Sequence, residues 1–125
     1  MPQITADTNQ IRQVLLNILI NAAQAMPKGG SLQVLTRKVK FEEFVEIKIS
    51  DTGNGIPKEN LKKIFDPFFT TKKGEGTGLG LSISYSYIKN HGGNIVITSE
   101  LHKGTEVTIL LPIRQTGHAL KEILE

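Results

Sequence analysis

Asn17 and Asn21 stand four residues apart in an apolar, helix-like run. On a helix that spacing separates them by about 40° around the axis, so their amides stack on one face. Paired amide carbonyls suit a hard cation such as Mg²⁺ that phosphates already hold. Gln10, Gln13 and Gln24 extend the same polar stripe, which also fits an ordinary solvated helix face. Asp51 is the second candidate. Val45, Ile47 and Ile49 alternate on one side of a strand-like run, and Asp51 continues that side. A carboxylate ending a buried row needs a donor, and a purine amino group is one. Gly53 and Gly55 would let the backbone approach a flat ring closely. Alternatively, Asp51 caps its own loop through an Asx-type bond.

The third candidate is Lys72-Lys73-Gly74-Glu75-Gly76-Thr77-Gly78-Leu79-Gly80, which runs straight into a helical pattern. Unobstructed amides at a helix N-terminus form an anion site, and the lysines add charge where a triphosphate would lie. Such a segment can also close as a lid, or serve only as a structural loop. It lacks the Gly-Lys-Ser/Thr of a Walker A loop, and no strand precedes it as the dinucleotide fingerprint requires. Thr105 shares a strand face with Val107, Ile109 and Leu111, which aims its hydroxyl inward, toward Asp51 or a water.

The elements that must position these groups follow from periodicity. Asp7 caps a helix from about Thr8, whose stripe is Ile11, Val14, Leu15, Ile18, Leu19, Ala22 and Met26, and Pro27-Lys28-Gly29-Gly30 stops it. Strands are expected over residues 31–39 and 44–50, with a charged turn at Glu42-Glu43. Pro57 opens a short helix, a longer one spans residues 79–90, and a hairpin pairs residues 94–99 with 105–111. Helices before and between runs of neighbouring strands argue an α+β fold. Residues 113–125 read as a separate tail, either a short helical turn carrying Leu120, Ile123 and Leu124 or a frayed end.

Composition narrows the function classes. The chain has 125 residues, enough for one domain, with 38% apolar residues and a net charge of +3. There is no cysteine, hence no disulfide or thiolate metal site, and no run long enough to span a membrane. Lys58, Lys62 and Lys63 read as a solvated face, and few aromatics interleave with them, so no nucleic-acid partner is expected.

In order, these pieces resemble the catalytic ATP-binding domain of bacterial sensor histidine kinases, within the Bergerat-fold (GHKL) ATPase superfamily. Residues 13–22 look like its N box, Asp51-Thr52-Gly53-Asn54-Gly55-Ile56 like its G1 box, and Ile64-Phe65-Asp66-Pro67-Phe68-Phe69 like its F box. Gly76-Thr77-Gly78-Leu79-Gly80-Leu81 matches G2, Gly104-Thr105 matches the last Gly-Thr pair, and His91-Gly92-Gly93 also falls in place.

The resemblance covers about residues 7–112. It implies a two-layer sandwich, a mixed sheet of about five strands on about three helices, with residues 1–112 as the domain. The family's first strand precedes the N box, where only residues 3–6 can supply it. The resemblance further implies that Asn21 holds Mg²⁺, with Asn17 supporting the metal or phosphates, and that Asp51 takes the adenine amino group. Gly53, Gly55 and Ile56 would form the base pocket with help from Thr105. Lys72, Lys73, Gly76, Thr77, Gly78, Leu79, Gly80 and Leu81 would meet the phosphates, while Phe65, Phe68 and Phe69 pack the base of the lid. Gln24 is placed among the nucleotide-binding residues, although it and Ala25 stand where many relatives carry a basic residue and an aromatic one.

The implied activity is Mg·ATP binding and donation of the γ-phosphoryl group to a histidine on the parent kinase's dimerisation and phosphotransfer helices. A response regulator would be an indirect partner, the location cytoplasmic, and direct membrane contact absent. ATP-hydrolysing members of the superfamily carry a glutamate one turn before the metal Asn, and related serine kinases an acidic base there. Asn17 occupies that position, and an amide cannot take a proton near neutral pH. A histidine acceptor is already nucleophilic, which favours the kinase reading over a hydrolase, a serine kinase or a degenerate binding module. His91, His102 and His118 lack the pattern of the family's acceptor helix, so the chain alone is not expected to phosphorylate itself.

Overall fold

Helix α1 (Thr8–Gln24) starts where the Asp7 side chain accepts a hydrogen bond from the Gln10 amide at 3.0 Å. That bond satisfies one of the free donors of the first turn. The computed structural model describes residues 7–39, 44–66 and 80–112. α1 buries Val14, Ile18 and Ala22 and part-buries Ile11, Leu15 and Leu19, the stripe expected from its period. It ends at Ala25, before Pro27.

Strands β1 (Leu32–Lys38) and β2 (Phe44–Asp51) pair antiparallel, then come the short α2 (Lys58–Leu61) and α3 (Gly80–Asn90). β3 (Asn94–Glu100) and β4 (Gly104–Pro112) close the chain as a hairpin, with His102 in its turn at φ 67°. The sheet order is β1-β2-β4-β3, so β4 inserts beside β2 and every described pairing is antiparallel. The architecture is the expected α+β fold of two layers. The sheet expected to be mixed, with about five strands, has four antiparallel ones among the described residues. Residues 3–6, the expected source of a further strand, lie outside them, as do the Glu42-Glu43 turn and the 113–125 tail.

One sheet face packs under α1 and α3. Ile49, Ile95, Val107, Ile109 and Leu111 meet Val14, Ile18 and Ile88 there, with Tyr87 and Phe65 at the margin. Phe65 also stacks on Tyr85 of α3, with ring centroids 4.8 Å apart. The expectation for Phe65 at the base of a lid places Phe68 and Phe69 beside it, and both lie outside the described residues. His91 ties α3 back to α1. Its Nε2 accepts the Asp7 amide at 2.9 Å, so its Nδ1 must carry the proton given to the Tyr87 carbonyl at 2.7 Å. That is a structural use, as its position at a helix end suggests.

The opposite sheet face carries a charged ladder. Arg37 of β1 grips Glu46 of β2 through two bonds of 3.1 and 3.2 Å, and Lys48 bridges Glu46 to Glu106 of β4. The Arg37 hydrogen bond holds the Glu46 carboxyl below its ordinary range, and the attraction of Arg37 and Lys48 adds to it, against the opposing effect of burial. A depressed folded-state value means this stabilisation is present above the unfolded carboxylate range and is lost as pH falls through the folded value. Glu46→Gln should therefore lower the melting temperature at neutral pH and make it less sensitive to acid below about pH 4. Melting curves from neutral to acid pH check this, and parallel curves for the two proteins would contradict it.

Candidate functional site

The site forms where the end of α1, the loop after β2 and the β3–β4 turn meet. Asp51 closes β2 opposite Thr105 of β4, on the face that carries the core, and it is half-buried. One carboxylate oxygen accepts the Gly53 amide at 2.8 Å. Of the two alternatives for Asp51, the structure contains one. It makes the Asx-type bond, and its second oxygen has no hydrogen-bond partner among the described residues.

The loop is stapled on three sides. Asn54 donates its amide to the Ala25 carbonyl at 3.0 Å, and Thr52 donates to Ser31 at 3.2 Å. The His102 amide donates to the Asn54 carbonyl at 2.6 Å. This explains the glycines internally. A Cβ on Gly53 would collide with Ala25, and one on Gly55, at φ +73°, would collide with the Glu100 carbonyl. Room for a flat ring is therefore not what first requires glycine here. Close packing of the loop against two neighbouring backbones is.

Thr105 points inward as its alternation predicts, but its hydroxyl bonds Ser99 rather than Asp51, at 2.8 Å. Ser99 also accepts the Ile56 amide at 2.7 Å and donates to the Gly104 carbonyl at 3.0 Å. Ile56 is thereby held at the loop's far end. Sequence reasoning passed over Ser99. Its signal was the alternation of Ile95, Ile97 and Ser99, which sets it on the inner face beside Thr105.

Asn17 and Asn21 lie on α1, and Asn21 is one turn, about 6 Å, before the Ala25 that anchors the Asp51 loop. Both are half-buried. Asn17 donates to the Gly80 carbonyl at 3.2 Å and to Ser84 Oγ at 3.3 Å, and it accepts from Gln13 at 2.8 Å. It therefore straps α1 to the first turn of α3. Ser84, fully buried, is a second residue the sequence left unmarked. Its small size permits the close helix approach, and its hydroxyl bonds Gly80 at 2.8 Å. Gly80 and Leu81, the end of the glycine-rich segment, thus sit beside the polar stripe of α1. Gln24 is exposed at that helix's last turn. Phe69, Lys72, Lys73, Gly76, Thr77, Gly78 and Leu79 lie outside the described residues.

Among the described residues no three His, Asp or Glu side chains gather as a metal cage. The oxygen-bearing side chains over residues 17–21 of α1 are the amides of Asn17, whose Oδ1 accepts from Gln13, and of Asn21. They fit Mg²⁺, which keeps waters and phosphate oxygens rather than taking an all-protein shell. No helix among the described residues is long and apolar enough to cross a membrane.

Residues 6–115 match the family described as histidine kinase-, DNA gyrase B- and HSP90-like ATPases. The sensor kinase CckA of Brucella abortus is 44% identical over 123 residues, a match covering 87% of this chain and 13% of that protein. Among solved structures, the nucleotide-free catalytic domain of the histidine kinase ThkA superposes with a TM-score of 0.77 at 36% identity, covering 88% of this chain and 70% of that one. Full-length ShkA in complex with AMPPNP gives 0.79 at 30% identity, covering 90% of this chain and 23% of that one. The chain spans 13% of CckA and 25% of sporulation kinase C of Bacillus subtilis, another curated relative that it matches.

Proposed function

The chain belongs to the family of histidine kinase-, DNA gyrase B- and HSP90-like ATPases, and from that premise we propose that it binds Mg·ATP and donates the γ-phosphoryl group to a histidine on helices of a larger cytoplasmic sensor kinase. Several of its matched relatives are sensor kinases, and ShkA was solved with an ATP analogue. In this reading, Asp51 receives the adenine amino group on its unpartnered oxygen, and Thr105 and Ile56 flank the base. Asn21 offers its carbonyl oxygen to a phosphate-held Mg²⁺, which supplies charge neutralisation when bound. Lys72, Lys73 and the residue 76–81 backbone meet the phosphates. A response regulator then receives the phosphoryl group from the histidine.

The observation that carries kinase over hydrolase is Asn17. Its amide nitrogen is committed to Gly80 and Ser84, and its oxygen takes a bond from Gln13. A neutral amide used as a helix strap cannot draw a proton from water or from a serine. An imidazole acceptor does not require that help. The test is incubation with γ-labelled ATP, with and without the helical phosphoacceptor segment of the parent kinase. Label should reach the segment's histidine and not this chain, with little phosphate released when the segment is omitted. Label on the chain itself, or brisk phosphate release without the acceptor, would overturn the proposal.

A further inference from the structure

Ser99 has one proton and three partners, and satisfying all three sets which way the neighbouring hydroxyl points. The Ile56 amide can only donate and the Gly104 carbonyl can only accept. The distances of 2.7 Å from the amide and 3.0 Å to the carbonyl therefore make Ser99 acceptor to the first and donor to the second. Its single proton is then spent on Gly104. Distance alone lets either hydroxyl of the 2.8 Å Ser99–Thr105 contact donate, and the arrangement that keeps all three bonds has Thr105 as donor and Ser99 as acceptor. With its proton turned toward Ser99, Thr105 has only lone pairs left for other partners. Asp51, its partner across the β2–β4 ladder, likewise has an unpartnered oxygen, and directly paired residues hold their Cβ atoms about 5 Å apart on one face.

We infer that Ser99 is a specificity-determining positioning residue: it locks the Thr105 hydroxyl as an acceptor, so that Thr105 and Asp51 together admit a base bearing an exocyclic amino group and repel one bearing a carbonyl there. The inference rests on the reading of Asp51 and Thr105 as the base pocket. Ser99 makes no contact with the base and works through the direction of one proton. Without it, the Thr105 hydroxyl is free to turn and donate to a carbonyl.

The test compares binding of ADP with that of inosine diphosphate, whose carbonyl replaces the amino group, by calorimetric titration. The ratio of the two affinities is unaffected by partial unfolding, because both ligands draw on the same folded population. Ser99→Ala should lower the preference for ADP by about tenfold, chiefly through tighter binding of inosine diphosphate. Ser99→Thr, which keeps a hydroxyl, should retain the wild-type preference. Thr105→Val should lower it as well, and adding Ser99→Ala to that variant should change it no further. Should Ser99→Ala not fold, Ser99→Cys keeps the side chain's size while weakening its bonds, and the same fall is expected. An unchanged ratio in Ser99→Ala or Ser99→Cys, with a wild-type chain that prefers ADP, overturns the role of Ser99 alone. A wild-type chain that binds both nucleotides equally overturns the base-pocket reading beneath it.

Discussion

Replacing Asp51 by Asn should weaken ADP and ATP by about thirtyfold to a hundredfold while leaving inorganic triphosphate binding nearly unchanged. The size follows from the loss of a charge-assisted hydrogen bond in a half-buried position, about 2–3 kcal/mol. Asn preserves the shape, and its carbonyl oxygen can still accept the Gly53 amide as Asp51 does at 2.8 Å. The loop should therefore keep its form. What changes is the second atom, where a donor NH₂ replaces an acceptor oxygen and faces the donor of the base. Titration with ADP and with triphosphate, each with and without Mg²⁺, separates the outcomes. Equal losses for both ligands would remove Asp51 from base reading and assign it to general anion or loop effects. Failure of the wild-type chain to bind either nucleotide would defeat the pocket altogether.

Gly55→Ala should destabilise the fold by about 3 kcal/mol, among the largest effects open to a single methyl group in this chain. Two costs combine. The residue sits at φ +73°, where a Cβ costs about 1–2 kcal/mol. The added carbon would also overlap the Glu100 carbonyl and lie 2.9 Å from Leu101 Cα, and backbone cannot rotate aside as a side chain does. Gly29→Ala is the internal control, since Gly29 has φ +92° but nothing within 4 Å of an added Cβ. It should cost only the conformational share, about 1–2 kcal/mol. Urea denaturation of both variants checks the difference. Equal losses would mean that the hairpin yields easily at Glu100 and that the loop is not clamped there. A clamped loop matters to the site because the same contact zone holds Asn54 to His102 and Ile56 to Ser99. Nucleotide binding by Gly55→Ala should fall together with its stability, whereas Asp51→Asn should lose binding with the fold intact.

The elements themselves were largely legible in the chain, because each rests on a local rule. The stripe from Ile11 to Met26 needs only the helical period, and Asp7 needs only the free amides of the first turn. The alternation of Val45, Ile47 and Ile49 into Asp51 placed the carboxylate on the correct face with no knowledge of what lay above it. Family membership was legible for a similar reason. Several short motifs in fixed order survive as text even though each one alone is common.

The order β1-β2-β4-β3 was not in the text, since β4 pairs with β2 across more than fifty residues and periodicity carries no information about partners. For the same reason Gly53 and Gly55 read as room for a ring, when Ala25 and Glu100 occupy the space their missing Cβ atoms leave. Asn17 read as support for the metal or phosphates, and only the packing of α1 on α3 adds its strap to Gly80 and Ser84. The sequence by itself determined which residue types stand on which faces, including the carboxylate, the amides and the inward threonine. Tertiary structure alone decided how their hydrogen-bonding capacity is divided. A hydroxyl or amide has few protons and lone pairs, and which of them remain for a ligand depends on neighbours brought in from distant parts of the chain.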